Sequence, residues 1–216
     1  MLCTIIPVKS LALAKGRLAG ILTPSERRAL VLAMLQDVLT AVRATRGVDR
    51  VGVVSVDVAA LTLAGDMGAE AMSDEASDLN GALAQAATYY AASGAATILV
   101  LPADVPLISS GEIERLIALR AGVRGVALAP SRDGGTNALL MWPPLALPFL
   151  FGHASLASHA QAARKRGIEP QLFRSLSLEL DVDRPDDLWA LAERDGMTAA
   201  QRLVRELSIF ERIACV

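Results

Sequence analysis

The chain has 216 residues, which at about 150 residues per domain is one large domain or one domain with a small lobe. Hydrophobic residues make up 53% and charged residues 20%, so disorder is excluded and a sizeable core is available. A formal net charge of -2 excludes a surface built to coat nucleic acid, so no nucleic-acid partner is expected. Aromatics are only 4%, so the core must be aliphatic.

Two long stretches lack charge, residues 81–103 and 134–163. Gln85, Ser93, Gly94 and Pro102 interrupt the first, and Pro143, Pro144 and Pro148 the second, so neither is expected to span a membrane. The opening residues have no basic region and reach Pro7 and Lys9 too early for a secretory signal, so a cytoplasmic protein is expected. Cys3 and Cys215 stand at opposite ends without metal-like spacing, and Cys3 reads as a buried residue of a first strand.

In chain order, residues 2–8 read as that strand. Thr23-Pro24-Ser25-Glu26 combines a capping box with proline at the first helical position and predicts a helix over 24–45. Strands follow at 50–57 and, more weakly, 69–72, then a helix over 79–93. The wholly apolar run 97–102 suits a central parallel strand. Ser109 and Glu112 form a second capping box, opening a helix to 121. Strands are predicted at 125–130 and 137–142, then a proline-rich loop and a helix over 155–166. A last strand at 178–183 leads into helices over 185–194 and 198–206. No repeat or linker appears, so residues 1–216 are expected to form one domain with a β-rich insertion. Residues 207–216 are a tail whose Leu207, Ile209, Phe210 and Ile213 either cover the core or meet a partner subunit in a homodimer. The alternation of strands and helices predicts a doubly wound sheet, with ligands beyond the carboxyl ends of its strands.

Five segments at those ends carry candidate chemistry. Lys9, Lys15 and Arg17 after the first strand either grip a polyphosphate or form a solvated basic loop; neither a dinucleotide fingerprint nor a P-loop is present. Asp104, between Pro102 and Pro106, is placed to hold a metal beside a phosphate, or to make an Asx-turn. Asp181 and Asp183 point to one side of an extended segment and could join Asp104 on a cation, although Asp183 is also a natural N-cap for the next helix. Residues 131–137, with Arg132, two glycines and Thr136, are either an anion nest or a hairpin turn. Gly152, His153 and Ser155 open a helix that either binds an anion or is simply capped by serine. His153 and His159 are the only histidines and fit no nucleophile or zinc pattern; His159 reads as a helix-face residue.

Taken in order, these segments resemble the guanylyltransferases of deazaflavin coenzyme (F-420) synthesis, from the first strand to about Leu188. The string Ser131-Arg132-Asp133-Gly134-Gly135-Thr136-Asn137 is the most specific part, beside Leu79-Asn80-Gly81 and Leu101-Pro102-Ala103-Asp104. The resemblance implies a single-domain glycosyltransferase-A-like nucleotidyltransferase fold, α/β, with a mostly parallel sheet, helices on both faces and a β-rich insertion. It implies transfer of GMP from GTP to a phosphorylated three-carbon acid, with one or two Mg2+ ions. By position, Asp104, Asp181 and Asp183 match its metal ligands. Pro7, Val8, Lys9, Lys15, Arg17, Asn80, Pro102 and Ala103 fall on the nucleotide side, with Lys15, Arg17 and Asp104 expected at the reacting phosphates. Thr136, Gly152 and Ser155 match acceptor contacts, with Arg132 and His153 beside them. Relatives often carry Pro-Gly at His153-Ala154; a polar His153 points to 3-phospho-D-glycerate, ahead of phosphoenolpyruvate and 2-phospho-L-lactate. The alternatives are a nucleotidyltransferase of the same fold acting on a sugar phosphate or molybdopterin, and a nucleotide-binding regulatory module without turnover.

Overall fold

A computed structural model describes residues 1–12, 14–76 and 78–214, the side chains of residues 210, 213 and 214 excepted. Cys215 and the side chains of Phe210 and Ile213 therefore lie outside the described residues. The strands are β1 (Leu2–Val8), β2 (Arg50–Ser55), β3 (Glu70–Ser73), β4 (Thr97–Val100), β5 (Gly125–Pro130), β6 (Thr136–Trp142) and β7 (Gln171–Leu172). They form one sheet in the order β3-β2-β1-β4-β6-β5-β7. β1 pairs in parallel with β2 and β4, and β2 with β3, whereas β6 runs antiparallel to both β4 and β5. The expected β-rich part is thus the β5–β6 hairpin, inside the same sheet, with β7 added parallel to β5.

The helices are α1 (Pro24–Arg43), α2 (Val58–Asp66), α3 (Leu79–Ala92), α4 (Ser110–Ile117), α5 (Ser155–Lys165), α6 (Pro185–Glu193), α7 (Ala199–Glu206) and α8 (Ile209–Ala214). Both predicted capping boxes form, at Thr23/Glu26 and Ser109/Glu112. The alternating side chains of each strand feed two cores. On β1, Leu2, Ile6 and Val8 join α1, α2, α4, α6 and α7, while Cys3 and Ile5 join α3 and α5. Helices therefore cover both faces, as expected for a sheet that is apolar on both sides. Leu207 and Ile209 pack on the first core, the covering role among the two left open for this tail.

One predicted strand is absent. Residues 178–183 join no ladder: Leu178 and Glu179 close a turn in which Glu179 N–H donates to Ser175 O, and residues 180–183 follow without regular structure. Their backbone is held instead by side chains and a loop: Asn137 Nδ2 donates to Leu178 O at 2.7 Å, and Val182 N–H to Asp104 O at 3.0 Å. Alternating Leu178, Leu180 and Val182 are all buried, which is why the segment reads as a strand. Helix α2 and the two-residue β7 are elements that the local sequence pattern leaves unassigned.

Candidate functional site

The carboxyl ends of β1 and β4 and the amino end of β6 meet at one edge, because β6 is antiparallel to β4. Two neighbouring clefts open there, of about 760 and 730 Å³, sharing Pro7, Val8, Lys9, Ser10 and Leu79. The first also takes in Lys15, Arg17, Pro102, Ala103, Asp104 and Asp183, and the second Asn80 and Gly152. A depression of about 840 Å³ lies at the opposite ends of the parallel strands, but its cations are engaged: Arg46 with Glu114, and Arg120 with Thr97 Oγ1. Size therefore does not locate the chemistry; the arrangement of charge does.

Lys15 sits in the left-handed region at φ 53°, just before the single 3-10 turn Gly16–Leu18. That turn of the chain drives its side chain inward, where only 8% remains exposed. Its ammonium donates to Asp104 Oδ2 at 2.8 Å and to Asp183 Oδ1 at 3.3 Å. Burial alone would lower the lysine's pKa, but Asp104 and Asp183 outweigh it and hold the group above its ordinary value. Arg17 reaches Asp183 Oδ2 at 2.7 Å from a solvated position. Lys9 lies exposed at the end of β1.

Asp183 is not the N-cap of α6. Arg184 holds that position, and Asp187 Oδ2 accepts the backbone N–H groups of Asp183 and Arg184. The Asp183 carboxylate is thereby released toward Lys15 and Arg17. Asp181 accepts from Asn137 Nδ2 at 3.0 Å. Burial raises the pKa of Asp181, the Asn137 bond opposes this, and the charge of Asp104 adds to it. An ionised Asp181 is thus a cost to the folded state that is present above its folded pKa and relieved as pH falls through it. Asp181→Asn is expected to raise the melting temperature of the unliganded protein at pH 7, by about 1 kcal/mol of stability, with the gain fading toward acid pH. Thermal unfolding across pH measures this; a lower melting temperature at pH 7 would refute it.

Among the described residues, no three His, Cys, Asp or Glu side chains form a ready-made metal cage. Instead, the Lys15 ammonium already sits between two of the three predicted carboxylates. The donor set still fits a hard divalent cation. Mg2+ typically takes only one or two carboxylates and completes its shell with water and phosphate oxygens. Asp181, repelled by Asp104, is a carboxylate that such an ion would relieve.

On the other wall, the turn between β5 and β6 is a hairpin rather than an open anion nest. Gly135 N–H donates to Ser131 Oγ at 2.7 Å, and a side chain at 135 would collide with that hydroxyl. Arg132 is exposed on this turn and makes no hydrogen bond or ion pair among the described residues. Thr136, first in β6, lies beside Ser155, first in α5: Ser155 Oγ donates to Thr136 Oγ1 at 3.2 Å. Gly152 (φ 139°) and Ala154 (φ 51°) bend the chain before α5, and His153 between them is exposed. Asn80 spends its amide on this loop, donating to Phe151 O and accepting from Phe151 N–H.

His159 lies on a face of α5, as expected, and the structure adds that this face is the buried one. Its side chain is fully buried. Its Nδ1 is 3.1 Å from Thr136 Oγ1, and its Nε2 accepts from Leu150 N–H at 3.0 Å. Burial lowers its pKa to about 4, so it is neutral at physiological pH. The available signal was periodicity: Ser155, His159 and Ala163 fall every four residues and form the buried stripe of α5. Asn137 is the other residue whose role escaped, since its partners lie some 40 positions downstream.

Comparison with known proteins bears on this arrangement. The profile of the family described as "Guanylyl transferase CofC like" matches residues 2–212. A phosphoenolpyruvate guanylyltransferase of Roseiflexus castenholzii is 46% identical over 205 residues, covering 95% of this chain and 94% of that protein. A 2-phospho-L-lactate guanylyltransferase of Methanothermobacter thermautotrophicus is 38% identical, covering 95% and 90%. Among solved structures, a putative nucleotide-diphospho-sugar transferase of Desulfovibrio desulfuricans G20 superposes with a TM-score of 0.79 at 17% identity, covering 98% of this chain and 97% of that one. This last likeness shows the fold, that of the glycosyltransferase-A-like nucleotidyltransferases.

Proposed function

The chain belongs to the CofC-like guanylyl transferase family, and on that premise we propose that it transfers GMP from GTP to phosphoenolpyruvate or a closely similar phosphorylated three-carbon acid. Pyrophosphate leaves, and the product serves F-420 coenzyme synthesis. The observation that carries this reading is a cleft lined by Lys9, Lys15, Arg17, Asp104 and Asp183 at the edge where antiparallel β6 brings Thr136, with its partner Ser155, beside the carboxyl end of β4, which offers two anionic reactants separate holds.

The reaction needs no protein nucleophile. A phosphate monoester has a second pKa near 6 and is mostly a dianion at neutral pH. Its oxygen forms a new bond to the α-phosphorus of GTP while the bond from that phosphorus to the β-phosphate oxygen breaks. Two anions must be held together, and Lys9, Lys15 and Arg17 offset that repulsion from the nucleotide side. Asp104, Asp181 and Asp183 are the residues that would hold Mg2+, which when bound neutralises phosphate charge. Pro7, Val8, Pro102 and Ala103 wall the nucleotide cleft. Thr136, Ser155 and Gly152 receive the acceptor, with Arg132 at the rim.

Phosphoenolpyruvate stands first because the 46% identical relative carries that name. A second reading, 3-phospho-D-glycerate, is favoured by His153, an exposed polar side chain that could meet an extra hydroxyl. The test crosses four nucleoside triphosphates with phosphoenolpyruvate, 2-phospho-L-lactate and 3-phospho-D-glycerate, measuring pyrophosphate release with Mg2+ or with EDTA. Release confined to GTP with one or more acids, and lost in EDTA, is the expected result; release with none of the acids would overturn the proposal. His153→Pro is expected to lower kcat/KM for 3-phospho-D-glycerate relative to phosphoenolpyruvate by about tenfold, the worth of one hydrogen bond to a polar group. An unchanged ranking would remove His153 from acceptor choice.

A further inference from the structure

The hydrogen bonds around His159 determine which of its ring nitrogens carries the proton. Leu150 N–H can only donate, so the Nε2 it meets at 3.0 Å must be the unprotonated nitrogen. A neutral imidazole then carries its proton on Nδ1, which lies 3.1 Å from Thr136 Oγ1 and donates to it, with the Ser155 backbone as a second acceptor of the same proton. Ser155 Oγ donates to the same oxygen at 3.2 Å. Thr136 Oγ1 thus receives two hydrogen bonds, and among the described residues nothing accepts its own proton. An oxygen that accepts twice is polarised into a better donor. Thr136 and Ser155 are 5% and 2% exposed, so the hydrogen-bond framework around this hydroxyl is dry, and its proton is left for a ligand that reaches Thr136 at the amino end of β6.

The same ring also fixes the loop facing Thr136. Leu150 hangs from Nε2, Phe151 lies edge-on to the imidazole with ring centres 4.9 Å apart, and Asn80 clasps Phe151 from the other side. We propose that His159 is the positioning residue of the acceptor site: as the Nδ1–H tautomer it turns the Thr136 hydroxyl into a dedicated donor toward the acceptor's anionic group and suspends loop 150–155 around it. This rests on reading Thr136 and Ser155 as acceptor contacts. The group recognised is a phosphate or carboxylate, which accepts without donating; a ligand offering only a donor would meet the wrong polarity.

The two arms of the ring can be separated. In His159→Asn the amide Nδ2 replaces Nδ1 and keeps the bond to Thr136; in His159→Gln the Oε1 replaces Nε2 and keeps the bond to Leu150. His159→Gln and Thr136→Val are each expected to raise KM for the acceptor about tenfold while KM for GTP stays within about twofold. His159→Asn is expected to retain acceptor KM within about threefold. In the double variant His159→Gln/Thr136→Val the acceptor KM is expected to match Thr136→Val alone, because both act through one hydroxyl. Imidazole 15N spectra of the wild-type protein, with His153→Pro to assign the second ring, are expected to show His159 protonated at Nδ1 only. Additive losses in the double variant, an equal rise in KM for GTP, or an Nε2-protonated ring would each overturn the role of His159. Wild-type protein that consumes none of the three acids would sink the functional reading and the acceptor role together, whereas wild-type turnover with additive variants would sink His159 alone.

Discussion

Asp104→Asn is expected to slow GTP- and acceptor-dependent pyrophosphate release by about a thousandfold, the upper end of what removing one preorganised charged group costs. The fold is expected to survive. The backbone carbonyl at this position still accepts from Val182 N–H, and the substituted amide keeps a side-chain oxygen for the Lys15 ammonium. Asp104 is also 30% exposed, so water screens part of the lost charge, and Asp183 remains as a second partner of the buried Lys15 ammonium. Activity and stability therefore part company at this position. Initial rates and thermal melts on the same preparation measure both, and a variant that melts like the wild type and turns over at more than a tenth of its rate would remove Asp104 from the chemistry.

Lys15→Met is expected to lower kcat/KM by about a hundred- to a thousandfold, and here stability moves too. The methionine preserves the stem's length and apolar volume but deletes the ammonium that Asp104 and Asp183 share. Arg17 still reaches Asp183, but from a side chain 61% exposed, where its charge is screened. The like charges of Asp104, Asp181 and Asp183 would then face one another with less compensation, so a loss of about 1 kcal/mol is expected in the absence of Mg2+. Adding Mg2+ should restore stability in Lys15→Met more than in the wild type, because the ion and the ammonium serve the same carboxylates. Equal stabilisation of both proteins by Mg2+ would show that Lys15 does not share their charge.

These two residues also show where local patterns were sufficient. Asp104 follows the most apolar strand and is flanked by prolines, and the helix caps at Thr23 and Ser109 act within three residues of themselves. Chemistry of this range is written in consecutive residues, which is why the parallel half of the sheet, both capping boxes and the principal charged residues were legible. Asp183 was ambiguous on the same basis. As a neighbour of Pro185 it suited a cap, and only the longer reach of Asp187 to two backbone N–H groups freed it for Lys15.

The amino-acid sequence by itself determined the alternation that builds a two-faced α/β sheet and the residue types that could meet phosphate. Tertiary structure alone decided their pairing. Reversal of β6 against β4 brings Thr136 to the same edge as Asp104, and Asn137, next along that strand, ties down Asp181 across 44 positions. The run 178–183 forms no ladder because its backbone found partners in Ser175, Asn137 and the Asp104 loop, and a strand exists only where a neighbouring backbone accepts it. His159 took its meaning from Leu150 and Thr136, on a loop and a strand that periodicity within α5 cannot name. Side-chain hydrogen bonds between distant segments depend on where the sheet order places those segments, and that order is a property of the whole packed chain.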